Sequence, residues 1–191
     1  MQTAQELIGK QVISIDHGEA QGKVRDIYFD PQLQRLVALS LGGGGIFGAR
    51  PKIIRLENVA VLGNDAVLVK SSDAVQDPAE VEETATWLRL GDIRGWDVRT
   101  SGGTPIGKVD DVTLGEDGRV LDILLAWTRV GGPIGTSNMV SRRAVTSVEA
   151  ERHLITIDLA AAEQEQGTDI NAGADINAGA DNGIQTTNPA N

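Results

Sequence analysis

The chain has 191 residues, a net charge of −10 and no cysteine. That length allows one or two domains, and the missing thiols exclude disulfides and thiolate metal sites. Seventeen Lys and Arg against 27 Asp and Glu, with no cationic cluster, argue against a duplex nucleic-acid binder. No apolar run reaches the roughly 18 residues of a membrane span. Met1-Gln2-Thr3-Ala4-Gln5-Glu6 lacks the basic and apolar regions of a secretory leader. The expectation is a soluble cytoplasmic protein without direct membrane insertion.

Val12–Ile15 is the first strand expected. A polar, turn-rich stretch from His17 to Gly22 follows, and Val24–Phe29 resumes β-branched and aromatic residues. Asp30-Pro31 breaks that strand, because proline donates nothing to a ladder. Leu36–Leu41 is almost continuously apolar, as in a strand with little solvent on either side. A Gly-rich stretch, Gly42 to Gly45, ends it. Lys52–Arg55, Val59–Leu62 and Ala66–Val69 complete the set, with Asn64-Asp65 as a tight turn.

Asp77-Pro78-Ala79-Glu80 then carries the marks of a helix start: an amide acceptor, a proline at the first position and a capping-box Glu. A helix running to about Trp87 is expected, with Val81, Ala85 and Leu88 on one face.

Beyond it the first pattern returns. Gly22-Lys23-Val24-Arg25-Asp26-Ile27 reappears as Gly107-Lys108-Val109-Asp110-Asp111-Val112. Asp97–Arg99, Val109–Leu114, Val120–Trp127, Met139-Val140, Val145–Val148 and Leu154–Ile157 replay the strands, with Asp117-Gly118 as a hairpin signal. A repeat of about 85 residues is too long for a solenoid unit and suits a small domain. Six short strands per copy predict a small antiparallel barrel. The reading is all-β: barrel one over 1–72, a short helical linker over 73–89, barrel two over 90–160 and a disordered tail over 161–191. The tail holds Glu163, Glu165, Asp169, Asp175 and Asp181 and no cation, and repeats Asp-Ile-Asn-Ala-Gly-Ala.

The stretches that imitate chemistry are better read as structure. Gly102 to Lys108 fits a P-loop except at Val109, where a hydroxyl is needed, and a strand rather than a helix follows. Gly43-x-Gly45-x-x-Gly48 is followed by Pro51 and a strand, so the helix of a dinucleotide site is missing. Asp169, Asn171 and Asp175 alternate like calcium ligands without the closing acid. His17 and His153 have no spaced partners. Asp26 and Asp111 recur at one strand position. They are read as acceptors for backbone amides or partners of Lys23 and Lys108, in preference to an acid–base pair. Trp87, Trp96 and Trp127 are candidates for interface anchors or for core volume. No catalytic residue, metal site or cofactor is expected.

Leu7-Ile8-Gly9-Lys10-x-Val12 followed by Gly22-Lys23-Val24-x-Asp26-Ile27 resembles the PRC-barrel family. So does Gly95-Trp96-Asp97-Val98 followed by Ile106-Gly107-Lys108-Val109-x-Asp111-Val112 and Asp117-Gly118-Arg119-Val120. The family includes the cytoplasmic domain of the photosynthetic reaction-centre H subunit and the C-terminal domain of the ribosome maturation factor RimM. The resemblance implies six-stranded barrels that bind other proteins and carry no catalytic residues. It also implies a non-enzymatic adaptor docking on a membrane-associated or photosynthetic electron-transfer assembly. Neither the membrane helix of the H subunit nor the N-terminal domain of the maturation factor is read in this sequence, so neither specific role carries over. Gly42, Gly45 and Phe47, with Gly131 and Gly135 at the matching edge, are the candidate contact loops. The alternative is a small-molecule or metal sensor using those loops as lids. Two copies packed through equivalent faces would form a pseudo-dimer within one chain, with a homo-oligomer left open.

Overall fold

A computed structural model describes residues 2–42 and 52–164. The expected loop residues Gly45 and Phe47, and the repetitive tail over 165–191, lie outside the described residues. The chain opens with a two-residue strand β1 (Gln2–Thr3) and a one-turn helix α1 (Ala4–Leu7). It continues through β2 (Gln11–Ser14), β3 (Ala20–Phe29), β4 (Leu36–Gly42), β5 (Lys52–Arg55), β6 (Val59–Leu62) and β7 (Ala66–Val69). The second copy is β8 (Leu88–Arg89), α2 (Leu90–Ile93), β9 (Asp97–Thr100), β10 (Pro105–Leu114) and β11 (Val120–Thr128). It ends with α3 (Gly132–Ser137), β12 (Met139–Ser141), β13 (Val145–Glu149) and β14 (Leu154–Ile157).

Strands hydrogen-bond in the order β5-β4-β3-β2-β7-β6 in one sheet and β12-β11-β10-β9-β14-β13 in the other. The end strands of each path are consecutive in the chain. They are joined by the 3-10 turns Leu56–Asn58 and Arg142–Ala144, so each sheet curls until the chain itself closes it. The all-β, two-barrel expectation holds. The ladders are not all antiparallel, however: β2–β7 and β9–β14 run parallel. These are the first and last paired strands of each copy, and the strands between them serve as the long crossover that parallel pairing needs.

Two further readings are corrected. The linker forms two short 3-10 turns, Pro78–Glu80 and Glu82–Thr86, in place of one continuous helix. Asp77 does cap the first, accepting from the Ala79 amide at 3.0 Å. The turn at Val81 is extended, which resets the period, so Val81 and Leu88 are buried while Ala85 faces solvent. Leu88-Arg89, assigned by sequence to the linker, are a strand of the second copy.

That strand belongs to an exchange between the copies. β8 pairs antiparallel with β3 of the first copy (Arg89 opposite Tyr28, Leu88 opposite Phe29). Its counterpart β1 pairs with β10 of the second (Thr3 opposite Thr113, Gln2 opposite Leu114). Each copy thus lends its first strand and helix to the other's sheet. Val112, Thr113 and Leu114 are buried in succession. Successive strand residues point to opposite faces, so both faces of β10 are covered. The buried residues of both copies form one continuous apolar cluster, from Leu7 and Phe29 through Ile93 to Ile123 and Ile155. Separate interiors for the two barrels, as two independent domains would have, are not what the chain builds.

The repeated glycine has a packing reason. β10 bulges against β11 between Lys108 and Val109 and again before Asp111, and β3 bulges against β4 between Val24 and Asp26. This presses the neighbouring strand onto the glycine. A Cβ on Gly107 would run into the Trp127 carbonyl, and one on Gly22 would lie 3.2 Å from the Gly42 carbonyl oxygen.

Two outcomes follow from this packing. With one core and exchanged strands, thermal unfolding gives a single transition whose calorimetric and van't Hoff enthalpies agree; two resolved transitions would show independent halves. Gly107→Ala destabilises by about 1–3 kcal/mol through backbone overpacking. Gly102→Ala, whose nearest new neighbour is the Thr100 hydroxyl oxygen at 3.8 Å, is close to neutral in the same urea titration.

Candidate interaction surface

The repeated aspartates sit at the exchange. In each copy the bulge turns the Asp side chain under the helix that arrives from the other copy. Asp111 accepts the Gln5 amide of α1 on both oxygens, at 3.1 and 3.2 Å, and its own chain's Val112 amide at 2.8 Å. Asp26 accepts the Gly91 amide of α2 at 3.4 Å and the Ile27 amide at 2.8 Å. Gln5 and Gly91 follow the caps Thr3 and Arg89 by two residues, where a helix amide has no partner within its own helix. The reading of these residues as amide acceptors is the one the geometry supports. The pairing with Lys23 and Lys108 is not formed. Arg89 instead reaches Asp26 through Nε at 3.1 Å and Nη2 at 2.8 Å, which holds the guanidinium above its ordinary value against its partial burial. Lys108 binds Asp97 at 2.8 Å and the Gly95 carbonyl at 3.1 Å. With Arg99 adding a second cation, Lys108 keeps the Asp97 carboxyl below the usual range.

A pseudo-two-fold axis relates the copies. It passes through an antiparallel bridge between Arg35 and Arg119, which occupy equivalent positions. On either side the Leu36 amide donates to the Gly118 carbonyl at 2.8 Å and the Val120 amide to the Gln34 carbonyl at 2.9 Å. Each β3–β4 or β10–β11 turn therefore faces the other copy's 3-10 turn across a cleft.

One of the differences between the two clefts is the residue that opens each 3-10 turn. Arg142 opens the 3-10 turn of the second copy. Its Nε donates to the Leu33 carbonyl at 2.8 Å and its Nη2 to the Gln32 carbonyl at 2.6 Å, bridging the cleft to the first copy's turn. Burial pushes this guanidinium down, with the Asp30 carboxylate opposing. Leu33 holds a left-handed conformation (φ 55°) while fully buried. That backbone costs about 1–2 kcal/mol, which burying the side chain offsets at about 1.5–3 kcal/mol. The equivalent of Arg142 is Leu56. It covers Gly118 and reaches no further, leaving a groove of about 580 Å³.

Leu36, Val37 and Leu56 line this groove, and β6 supplies Val59, Ala60 and Leu62. The linker adds Trp87, whose ring centroid is 5.7 Å from that of Tyr28 and lies beneath the Arg55 guanidinium. Arg55 is held by Glu83 at 2.7 Å, and the Glu83 backbone amide together with Arg55 holds the Glu83 carboxyl below its usual range. Glu116 and Asp117 of the second copy form the far side. Nothing in the sequence reading singled out this groove. The signal was the exchange of Arg142 for Leu56 at equivalent positions of the two copies.

Gly131 is exposed, whereas Gly135 lies in α3, whose Ile134 is fully buried. The second contact loop is therefore a short anchored helix, because Ile134 ties it to the core. Gly42 ends β4 opposite Lys23. His17 is exposed, and His153 stacks on the buried Trp96 with ring centroids 5.3 Å apart. Trp127 is 37% exposed on β11 beneath Arg129. Among the described residues no group of His, Asp or Glu is placed to hold a metal ion, and no helix is long and apolar enough to cross a membrane.

Asp111→Ala leaves the Val112 and Gln5 amides without acceptors and lowers stability in urea by about 1–3 kcal/mol. Asp26→Ala costs little more, because the Arg89 side chain is 49% exposed and rehydrates. A much larger loss at Asp26 would make the ion pair, not the amide acceptor, the essential element.

A family model for the PRC-barrel domain matches the chain twice, over residues 1–76 and 88–164. Among curated proteins no significant match was found. The two matches fall on the two barrels and each takes in the strand its copy lends to the other. The chain belongs to the PRC-barrel family and carries the domain in tandem.

Proposed function

We propose that this chain is a non-enzymatic adaptor that docks proteins on the surfaces its paired barrels leave open. PRC-barrel domains are typically protein-interaction modules and are generally non-catalytic. The observation that carries the reading for this chain is the asymmetry between its halves. The junction is built alike on both sides, with Asp26 and Asp111 in matching roles, while the clefts and rims differ in side chain and charge. Elements that only support the fold have stayed alike, and solvent-facing ones have diverged, as expected where separate surfaces serve separate contacts.

The rim positions Gly42 and Gly131, with the exposed Trp127 near the second, are the contact candidates beside the groove. A sensor with a hinged lid at Gly131–Gly135 is less well supported, since α3 is anchored by Ile134. The docking partner in this proposal belongs to a membrane-associated assembly.

The test places a photo-crosslinking residue at Trp127, at Leu121 on the same strand, or at Lys23 in the living source cell. A discrete crosslinked protein from the membrane fraction, lost when the exposed face is recharged by Trp127→Glu, is expected. Crosslinks to no protein in either the membrane or the soluble fraction would overturn the adaptor reading.

A further inference from the structure

We propose that the acidic segment after Gln164 folds back onto the outer face of the second barrel, over Trp127 and Arg129. The contact is intramolecular and goes beyond the docking reading above, whose exposed tryptophan it covers.

Strand pairing lays out this face. Lys108 on β10 stands opposite Trp127 on β11 and opposite Asp97 on β9, so the three side chains share one side of the sheet. Residues two apart on a strand share a side as well, which adds Arg99 and Arg129. Lys108 at 2.8 Å and Arg99 at 3.0 Å divide the single Asp97 carboxylate between them. Among the described residues Arg129 makes no ion pair; its guanidinium lies 5.0 Å from the centroid of the Trp127 ring. Three cations thus surround an exposed indole with one acid to balance them.

The chain delivers a counter-charge to this place. Residues 159–164 are helical, started by Asp158, which accepts the Ala160 and Ala161 amides at 2.9 and 3.2 Å, and fixed by the fully buried Ala162. The Glu163 carboxylate comes to Gly132, where an added Cβ would lie 3.7 Å from its Oε1. Gly132 begins α3, directly beyond Arg129 and Val130. The described chain therefore ends beside the cationic face. Residues 165–191 follow, with Glu165, Asp169, Asp175 and Asp181 and no Lys or Arg. Asp169-Ile170 and Asp175-Ile176 each set a carboxylate next to an apolar side chain, which suits a guanidinium next to an indole.

Reach agrees. As flexible chain, the stretches from Gln164 to Ile170 and to Ile176 span about 13 and 19 Å. The face is two strand spacings wide, about 10 Å. A tether of this length holds its end at roughly millimolar effective concentration, so a contact too weak to retain a separate peptide is populated here. The remainder of the chain also carries more acids than bases and repels the segment over most of its surface. Lys23 and Arg25 on the first barrel are the nearest rival, but Gly42 stands opposite Lys23 where Trp127 stands opposite Lys108.

Because the chain has no cysteine, Ala174→Cys gives one site for a nitroxide label on the full chain. Backbone amide intensities are compared with those of a diamagnetic label of the same size at low salt. The amides of Arg99, Lys108, Trp127 and Arg129 are expected to lose at least half their intensity, while Ile13, Lys23 and Gly42 at the matching positions of the first barrel keep theirs. Salt at about 0.5 M, where the screening length is ~4 Å, should restore most of the loss. Arg129→Glu at its exposed position, and separately Asp169→Asn with Asp175→Asn, should each cut the loss at least two-fold in proteins that melt like the parent. No loss on this face, an equal loss on the first barrel, or a loss unchanged by Arg129→Glu would each overturn the proposal. Partner crosslinks at Trp127 that persist without any intensity loss would leave the adaptor reading standing and remove this contact alone; intensity loss without partner crosslinks would do the reverse.

Discussion

The structure depends on a carboxylate buried beneath a helix that comes from the other half of the chain. Asp26 and Asp111 each satisfy a helix amide that has no acceptor within its own turn, together with an amide of their own strand. A buried donor left without a partner is expensive, so each half is complete only when the other is in place. The strand exchange and the continuous apolar cluster follow from that constraint. An arm that brings a helix to the partner's aspartate must also lay its first residues along the partner's sheet.

Where the halves differ, they do so on a fixed frame. Lys10 and Trp96 hold the same position, directly before β2 and β9, and each secures the hairpin beyond it by different means. Lys10 donates to the Gly63 carbonyl at 2.8 Å, whereas Trp96 stacks on His153. Among the described residues the buried indole nitrogen of Trp96 has no hydrogen-bond partner, and the clamp is a ring contact. Leu56 and Arg142 show the same freedom at the clefts. Backbone geometry is retained because the bulge and the cap require it, while a side chain changes type wherever more than one chemistry spans the same gap.

Much of the fold was legible because its signals are local. The Gly-Lys-Val echo, the alternation of strands and turns and the Asp117-Gly118 hairpin each express a short-range backbone demand. Gly118 takes φ 77° as that turn requires. The exchanged arms were not legible, since two-residue strands such as Gln2-Thr3 and Leu88-Arg89 have no period to detect. The parallel pairs were missed because they join residues far apart in sequence. The linker carried a sound helix start, and Val81 then overrode it by burial. For the site, the recurrent aspartate inside a strand was the informative residue. An acid buried in a sheet needs donors, but the sequence could not show that they would come from α1 and α2. The groove was hidden because it exists only between halves.

Joining both halves in one chain changes how the assembly responds to dilution. A pair of separate modules held by exchanged arms would fall apart as concentration drops, because association is bimolecular. Here the linker between Gln76 and Leu88 keeps each arm close to its receiving sheet, so docking is intramolecular and independent of how much protein is present. The ratio of the two unlike faces is likewise locked at one to one, which two freely assorting modules could not guarantee.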